Sequence, residues 1–325
     1  MKQLVKYFFK FLIALLVLVV GFYFWASSPT LNSTEYSKLS KIDGFKSPIN
    51  DTVFSIMTYN IGYLSGMTNN RAIAKPKELF DKNLEKVLVE TKKVNPDIIA
   101  FQEIDYNASR SYNINQEQEI INLGYGYSAT AINWDERYVP FPYWPISMHF
   151  GKVVSGQSIL SKYPLKNHER VVLERVANAP FYRDAFYLER LAQVAIVTLG
   201  GKDVVLINIH LEAFDGNTRT NQFQEVVSIF NRYKEKYPTI LLGDFNSRAR
   251  DTNAVVQQLF AIDDIGNAAF TKENPENTFD TKSPFERIDY IFYTKNTIEC
   301  ISGKVVTEFG ESSDHLPVYM EFRLK

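Results

Sequence analysis

Ile240-Leu241-Leu242-Gly243-Asp244-Phe245-Asn246 reads as a buried strand that ends on chemistry. Residues 240–242 are apolar on consecutive positions, which suits a strand covered on both faces. Gly243 then allows close backbone approach, and Asp244 and Asn246 place two short polar side chains two residues apart. Taken alone, GDFN is a turn signature. It gains weight outward along the chain, because other apolar runs close in the same way: SIMTYN on Asn60, DIIAFQE on Glu103, and SDH with Asp314 and His315 before the last strand. A fold that gathers these ends builds a wet, acidic pocket suited to a hard divalent cation and a phosphate ester.

The same kind of run recurs at 53–59, 97–102, 156–161, 191–199, 204–209, 287–293 and 318–323, each predicted as a strand. Helical periodicity separates them. Leu79, Phe80, Leu84, Val87 and Leu88 make one stripe in 77–94, and Phe223, Val226, Val227 and Phe230 another in 218–237. Pro96 and Pro238 stop those helices before the next strand. The alternation predicts a layered α/β domain.

Composition sets the bounds. Of 325 residues 45% are hydrophobic and 14% aromatic, which argues for a packed body over disorder. A net charge of −1 offers no general attraction to polyanions, so a tight sequence-independent DNA binder is disfavoured. The single cysteine, Cys300, excludes an intramolecular disulfide and a multi-thiolate zinc site.

The N-terminus has a different character. Residues 11–25 are uninterruptedly apolar, after Lys2, Lys6 and Lys10 and before Ala26-Ser27-Ser28-Pro29. Fifteen residues reach ~22 Å of a ~30 Å hydrocarbon layer, so a span recruits 7–9 as well and Lys10 snorkels. The basic start predicts an N-terminus inside and the body extracytoplasmic. A cleaved signal peptide is the rival, with Ala26 and Ser28 at the cut; the long run and its closing Phe22-Tyr23-Phe24-Trp25 favour an anchor over 1–26. The Ser, Lys, Asn and Thr of 27–50 predict a tether, leaving 51–325 as the catalytic domain. One more segment stands out: 134–150 packs Trp134, Tyr138, Phe141, Tyr143, Trp144 and Phe150 among three prolines. It is expected to be an aromatic loop packed on its own domain, or else a substrate or membrane lip.

Roles follow from residue chemistry. Glu103, with Asn60 or Asp314, supplies the few hard oxygens that Mg²⁺ wants. Asp244 orients or deprotonates the attacking water, and Asn246 donates to a phosphate oxygen. His210 and His315 end apolar strands beside polar residues and are placed to stabilise charge on phosphorus, with Asp289 holding one imidazole in its tautomer. His149 and His168 have no such setting.

TYN, FQE, SGQSILSKYPL, NIHLE, GDFN, RIDYIF and SSDHLPV, in that order from residue 53 to the C-terminus, resemble the endonuclease/exonuclease/phosphatase superfamily, in its DNase I-like and neutral sphingomyelinase-like forms. The resemblance implies a four-layer α/β/β/α sandwich of two packed mixed sheets flanked by helices, which here follows the N-terminal transmembrane helix read from the apolar run. It implies one Mg²⁺ site, with Mn²⁺ as a substitute, and metal-assisted in-line attack of water on a phosphoester. By matching motif it makes Glu103 the principal metal ligand, Asn60 its assistant, and Asp314 a second ligand or a support. Asp244 and Asn246 then handle water and phosphate, His210 and His315 the phosphate oxygens or leaving group, and Asp289 orients His315, while Arg219 and Gln222 scaffold the site. Two departures weigh against base repair: Gly62 stands where abasic-site nucleases carry Asp, and Ile104 where they carry Thr. The HLE form at His210 is closer to the sphingomyelinase and tyrosyl-DNA-phosphodiesterase branches. A lipid or other surface phosphodiester is the favoured substrate, reached through the membrane anchor. An extracytoplasmic nuclease is the alternative, and a binding module with a retired site the reading from another class.

Overall fold

The computed structural model describes residues 1–49, 52–271 and 276–325. Thirteen strands carry the body: β1 Ser37–Lys41, β2 Phe54–Asn60, β3 Ile98–Asp105, β4 Tyr127–Val139, β5 Gly151–Ser161, β6 Leu165–Val172, β7 Leu191–Leu199, β8 Lys202–His210, β9 Thr239–Asp244, β10 Ile265–Asn267, β11 Asp289–Thr294, β12 Ile298–Val305 and β13 Val318–Leu324. The α-helices are α1 Lys2–Ala26, α2 Lys77–Val94, α3 Gln116–Ile121, α4 Phe181–Asp184, α5 Gly216–Lys234 and α6 Gln257–Phe260.

Two sheets form, one in the order β1-β4-β5-β3-β2-β13-β12 and the other β10-β11-β9-β8-β7-β6. Their inner faces meet through Ile56, Ile98 and Ile159 on one side and Leu206, Leu242 and Ile291 on the other. Residues one position along the same strands point outward: Met57, Ile99 and Phe101 pack on Phe80 and Val87 of α2, and Ile207 and Leu241 on Phe223 and Phe230 of α5. Strands buried on both faces explain the unbroken apolar runs. The result is a four-layer α/β/β/α sandwich of mixed sheets, since β2–β3 and β8–β9 pair in parallel and their neighbours antiparallel.

Parallel pairing decides where chemistry gathers, because parallel neighbours end on the same side of a sheet. In the second sheet His210 lies across from Asp244, and Asp244 across from Asp289, so three polar residues share one rim. Gly243 makes this approach feasible: its φ is +135°, and a Cβ there would lie 2.0 Å from the Ile209 carbonyl oxygen.

Two expectations need correction. Within the 27–50 stretch, of which residue 50 lies outside the described residues, residues 30–41 are not a free tether: β1 pairs with β4 through the register Ser37↔Ala131 to Lys41↔Tyr127, and the Thr30 and Leu31 amides donate to Asp135. A polar edge strand such as β1 has no apolar alternation to betray it, because neither of its faces is buried. The 134–150 segment is irregular only from Pro140, since β4 carries Trp134 and Tyr138 within a thirteen-residue strand. Helix α1 runs unbroken through 25 residues and, among the described residues, is the one helix long and apolar enough to cross a membrane.

Candidate active site

At the end of β2, Asn60 turns its amide toward the second sheet and donates to Asp244 Oδ2 at 2.9 Å. Gly62 follows at φ +54°, where a Cβ would lie 2.8 Å from Ser313 Oγ and 2.9 Å from Asp314 Oδ1. The loop carrying Asp314 therefore fills the space that a side chain at 62 would need. On β3 the register slips between Phe101 and Ile104, and Glu103 adopts φ +52°. This left-handed bulge takes Glu103 out of strand alternation, a strained geometry of the kind held at functional sites. Its carboxylate accepts from Asn69 Nδ2 at 2.9 Å, and the same amide reaches Asp314 at 3.3 Å.

Asp244 is the hub. Its Oδ2 lies 3.5 Å from His210 Nε2 and 3.8 Å from His315 Nε2, and its Oδ1 accepts from the Asn246 backbone amide at 2.9 Å. Burial, then the neighbouring Asp289, push its carboxyl up to about 7. Behind it, Asp289 Oδ2 accepts a hydrogen bond from His315 Nδ1 at 3.0 Å. Burial works against charge on His315, but Asp289 and Asp244 hold the imidazole well above its ordinary value, which favours the imidazolium.

His210 sits in a different electrostatic setting from His315. Burial, Arg190 and His315 together drive it well below its ordinary value. Arg190 Nη1 donates to its Nε2 at 2.5 Å, which puts the imidazole proton on Nδ1. The fixed cation on this side is Arg190, itself braced by Glu212 at 3.4 Å. Asn246 lines the cleft at φ +46° and commits one amide hydrogen to the Leu211 carbonyl at 2.9 Å, leaving the other. Arg219 donates to the Glu212 and Ala213 carbonyls at 2.8 and 3.0 Å, and Gln222 Oε1 accepts from the Glu212 amide at 2.8 Å. Both hold the turn between β8 and α5.

Glu103, His210, Asp244, Asn246, Asp314 and His315 all line one cleft of about 1160 Å³, with Asn60 and Asp289 directly behind it. Sequence reasoning missed Asn69 and Arg190. Asn69 sits in an MTNN loop indistinguishable from a turn, and Arg190 precedes a strand as surface arginines commonly do; the pairing of Arg190 with Glu212 of the HLE motif is visible only in three dimensions.

Two groups fit a divalent cation. Ligand atoms of Asp244, Asp289 and His315 lie within 4.8 Å of one another. Glu103 and Asp314 form the other, close enough that burial and then Asp314 raise the Glu103 carboxyl. Proximity favours the first and chemistry the second. A protonated imidazole already bonded to Asp289 has no lone pair for a metal, whereas Glu103 and Asp314 offer the hard oxygens that Mg²⁺ takes.

Residues 57–315 match the Endonuclease/Exonuclease/phosphatase family, and the chain belongs to it. Members of that family are generally phosphoester hydrolases and typically use divalent metal ions. The chain is 23% identical over 272 residues to the uncharacterised protein YbhP of Shigella flexneri, covering 83% of this chain and 96% of that one. Among solved structures it is similar to an endonuclease/exonuclease/phosphatase from Beutenbergia cavernae, with TM-score 0.62, 21% identity and coverage of 84% and 72%. The human Nocturnin catalytic domain with bound sulfate gives TM-score 0.58 and 16% identity, covering 91% of this chain and all (100%) of that one. Danio rerio TDP2 complexed with a single-strand DNA product gives 0.59 and 18%, covering 84% and 100%. At these identities the structural likenesses establish the fold.

Proposed function

We propose that the protein is a membrane-anchored, Mg²⁺-dependent phosphodiesterase whose catalytic domain lies outside the cytoplasm. The observation that carries this is the meeting, in one cleft, of an acidic oxygen pair at Glu103 and Asp314 with a base and an imidazolium at Asp244 and His315. Glu103 and Asp314, with Asn60 assisting, would hold Mg²⁺ or Mn²⁺, which supplies charge neutralisation to the phosphoryl oxygens. Asp244, poised near neutrality, takes a proton from the attacking water as the water oxygen bonds to phosphorus. The scissile P–O bond breaks on the opposite side. His315 Nε2 gives its proton to the leaving oxygen, while Asp289 keeps the ring oriented through Nδ1. Asp244 then releases its proton to solvent and His315 regains one, closing the cycle. Arg190 and the spare Asn246 hydrogen are the fixed donors for the remaining phosphate oxygens.

The lysines at 2, 6 and 10 and the apolar helix α1 support anchoring with the N-terminus inside. A nuclease is the second reading, favoured by the likeness to a TDP2 structure that holds a DNA product. Turnover of bis(p-nitrophenyl) phosphate by the full chain should cease with chelator and return with Mg²⁺ or Mn²⁺. Hydrolysis indifferent to chelator would remove Glu103 and Asp314 from metal binding, and supercoiled DNA cut faster than any lipid diester would favour the nuclease.

A further inference from the structure

The last turn of α1 docks on the body through aromatic side chains. Phe22 and Trp25 contact the ring of Tyr138 at 5.8 and 6.3 Å. Tyr23 lies 5.8 Å from both Phe181 and Phe186, and its hydroxyl donates to the Phe181 carbonyl at 3.3 Å. Tyr138 extends the connection, meeting His149 Nδ1 at 2.8 Å, and His149 Nε2 lies 3.4 Å from the Tyr143 carbonyl. The helix end is thus joined to two segments, 140–149 and 180–187.

Those segments expose the apolar residues a soluble surface hides. Trp144 is 78% exposed, Phe181 73% and Ile146 62%, with Tyr143 and Tyr182 half or more exposed beside them. Tyr143, Tyr182 and Phe186 also line the catalytic cleft. One face therefore carries the membrane helix, an aromatic rim and the mouth of the site.

Helix length fixes the depth of that face. Twenty-five residues rise ~37 Å against a ~30 Å hydrocarbon layer, so with Lys2, Lys6 and Lys10 at the inner surface the Phe22–Ala26 turn stands at the outer headgroups. Whatever touches that turn stands within a few ångströms of the interface, where Trp and Tyr partition.

We propose that Trp144, Ile146 and Phe181 seat in the headgroup layer of the membrane that carries α1, so that the cleft opens onto that membrane and takes the phosphodiester of its own lipid headgroups. The anchored-hydrolase reading underlies the second half of this proposal; the seating rests on geometry alone. Continuity with the helix contact selects a bilayer over a protein partner.

The test uses the full chain in vesicles of phosphatidylcholine and phosphatidylglycerol. The variant Trp144→Ser/Ile146→Ser/Phe181→Ser changes residues that do not line the cleft. Its rate on bis(p-nitrophenyl) phosphate should stay within about twofold of wild type, while release of phosphorylated headgroup from the vesicles falls about tenfold or more. Seating is read separately. In a Trp25→Phe background, acyl-brominated lipid should quench Trp144, and the further change Trp144→Phe should abolish that quenching because Trp134 is buried. Unquenched Trp144, or equal headgroup release by both proteins, overturns the rim. A wild type that cleaves the soluble diester but leaves lipids intact overturns the lipid substrate and spares the hydrolase. A wild type that cleaves neither defeats the hydrolase reading, and quenching alone then decides the seating.

Discussion

The two walls of the cleft are built on opposite principles. One is polar and comes from strand ends: Asn60, His210, Asp244 and Asp289 stand at strand termini, Glu103 at the bulge near the end of β3, and Asp314 and His315 precede the last strand. Its side chains hold each other through charge-assisted bonds, so every member sets the protonation of the next. The other wall is aromatic and is stacked around a buried guanidinium. Arg110 lies 3.5 Å from the Tyr63 ring centroid, 4.7 Å from Trp134 and 5.0 Å from Phe150, and is pinned by Asp105 at 2.8 Å. Rigid strand ends give the angular precision that proton transfer needs. Stacked rings give area and shape, which suit holding a substrate more than transforming it.

If the walls divide labour this way, damage to the polar one should reduce kcat and leave KM nearly alone. Asp244→Asn is the sharpest case. It keeps volume and an acceptor for the Asn60 amide but removes the base, so kcat should drop about 10³-fold. Stability should hold or rise, because one of two repelling buried carboxylates is neutralised. A steady-state assay beside a thermal melt checks both, and kcat within a factor of ten of wild type would transfer the base role elsewhere.

Asp289→Asn acts one step back from the reacting atoms and should cost less, about 10²-fold in kcat. The amide can leave Nδ1 without an acceptor, and the imidazolium loses the carboxylate that holds it above its ordinary value. The His315 ring protons, followed by NMR, should then titrate at lower pH than in wild type. An unmoved titration with lowered kcat would make Asp289 a packing residue only.

The difference between the walls also explains what the sequence revealed. The polar wall was legible because each residue closes an apolar run, and a strand end is a local feature. Its finer geometry was not: the Glu103 bulge, the neutral state of His210 and the Arg190 partner depend on residues brought together from distant strands. For the layers, runs buried on both faces announced the central strands. The exposed edges β1, β6 and β12 carry polar residues without clean alternation and went unseen. Three prolines in 140–145 give the aromatic wall the signature of a loop, although β4 delivers Trp134 and Val139 to it as a strand.

Behind the aromatic wall lies a carboxylate that makes the smallest but most selective prediction. Glu136, on β4 beside Asn133, Asp135 and Glu189, has one oxygen buried without a hydrogen-bond partner. Burial first, then Asp135, raise its carboxyl to about 8, with Glu189 adding and Arg175 opposing. A raised acid binds its proton more tightly folded than unfolded, so stability falls as pH rises from ~4.3, the unfolded value, to about 8, and is level beyond. The full linkage would be ~5 kcal/mol, but Glu136 is only part-buried and screening reduces it to roughly 1–2 kcal/mol. Glu136→Gln should therefore melt with wild type near pH 4 and about 2–4 °C above it at pH 8.5, measured by circular dichroism on the full chain in detergent. Equal melting at both values would mean the ionised side chain reaches solvent. The polar wall behaves differently, because there each carboxylate has a cation or an amide within reach, and neutralising one member alters the protonation of its neighbours.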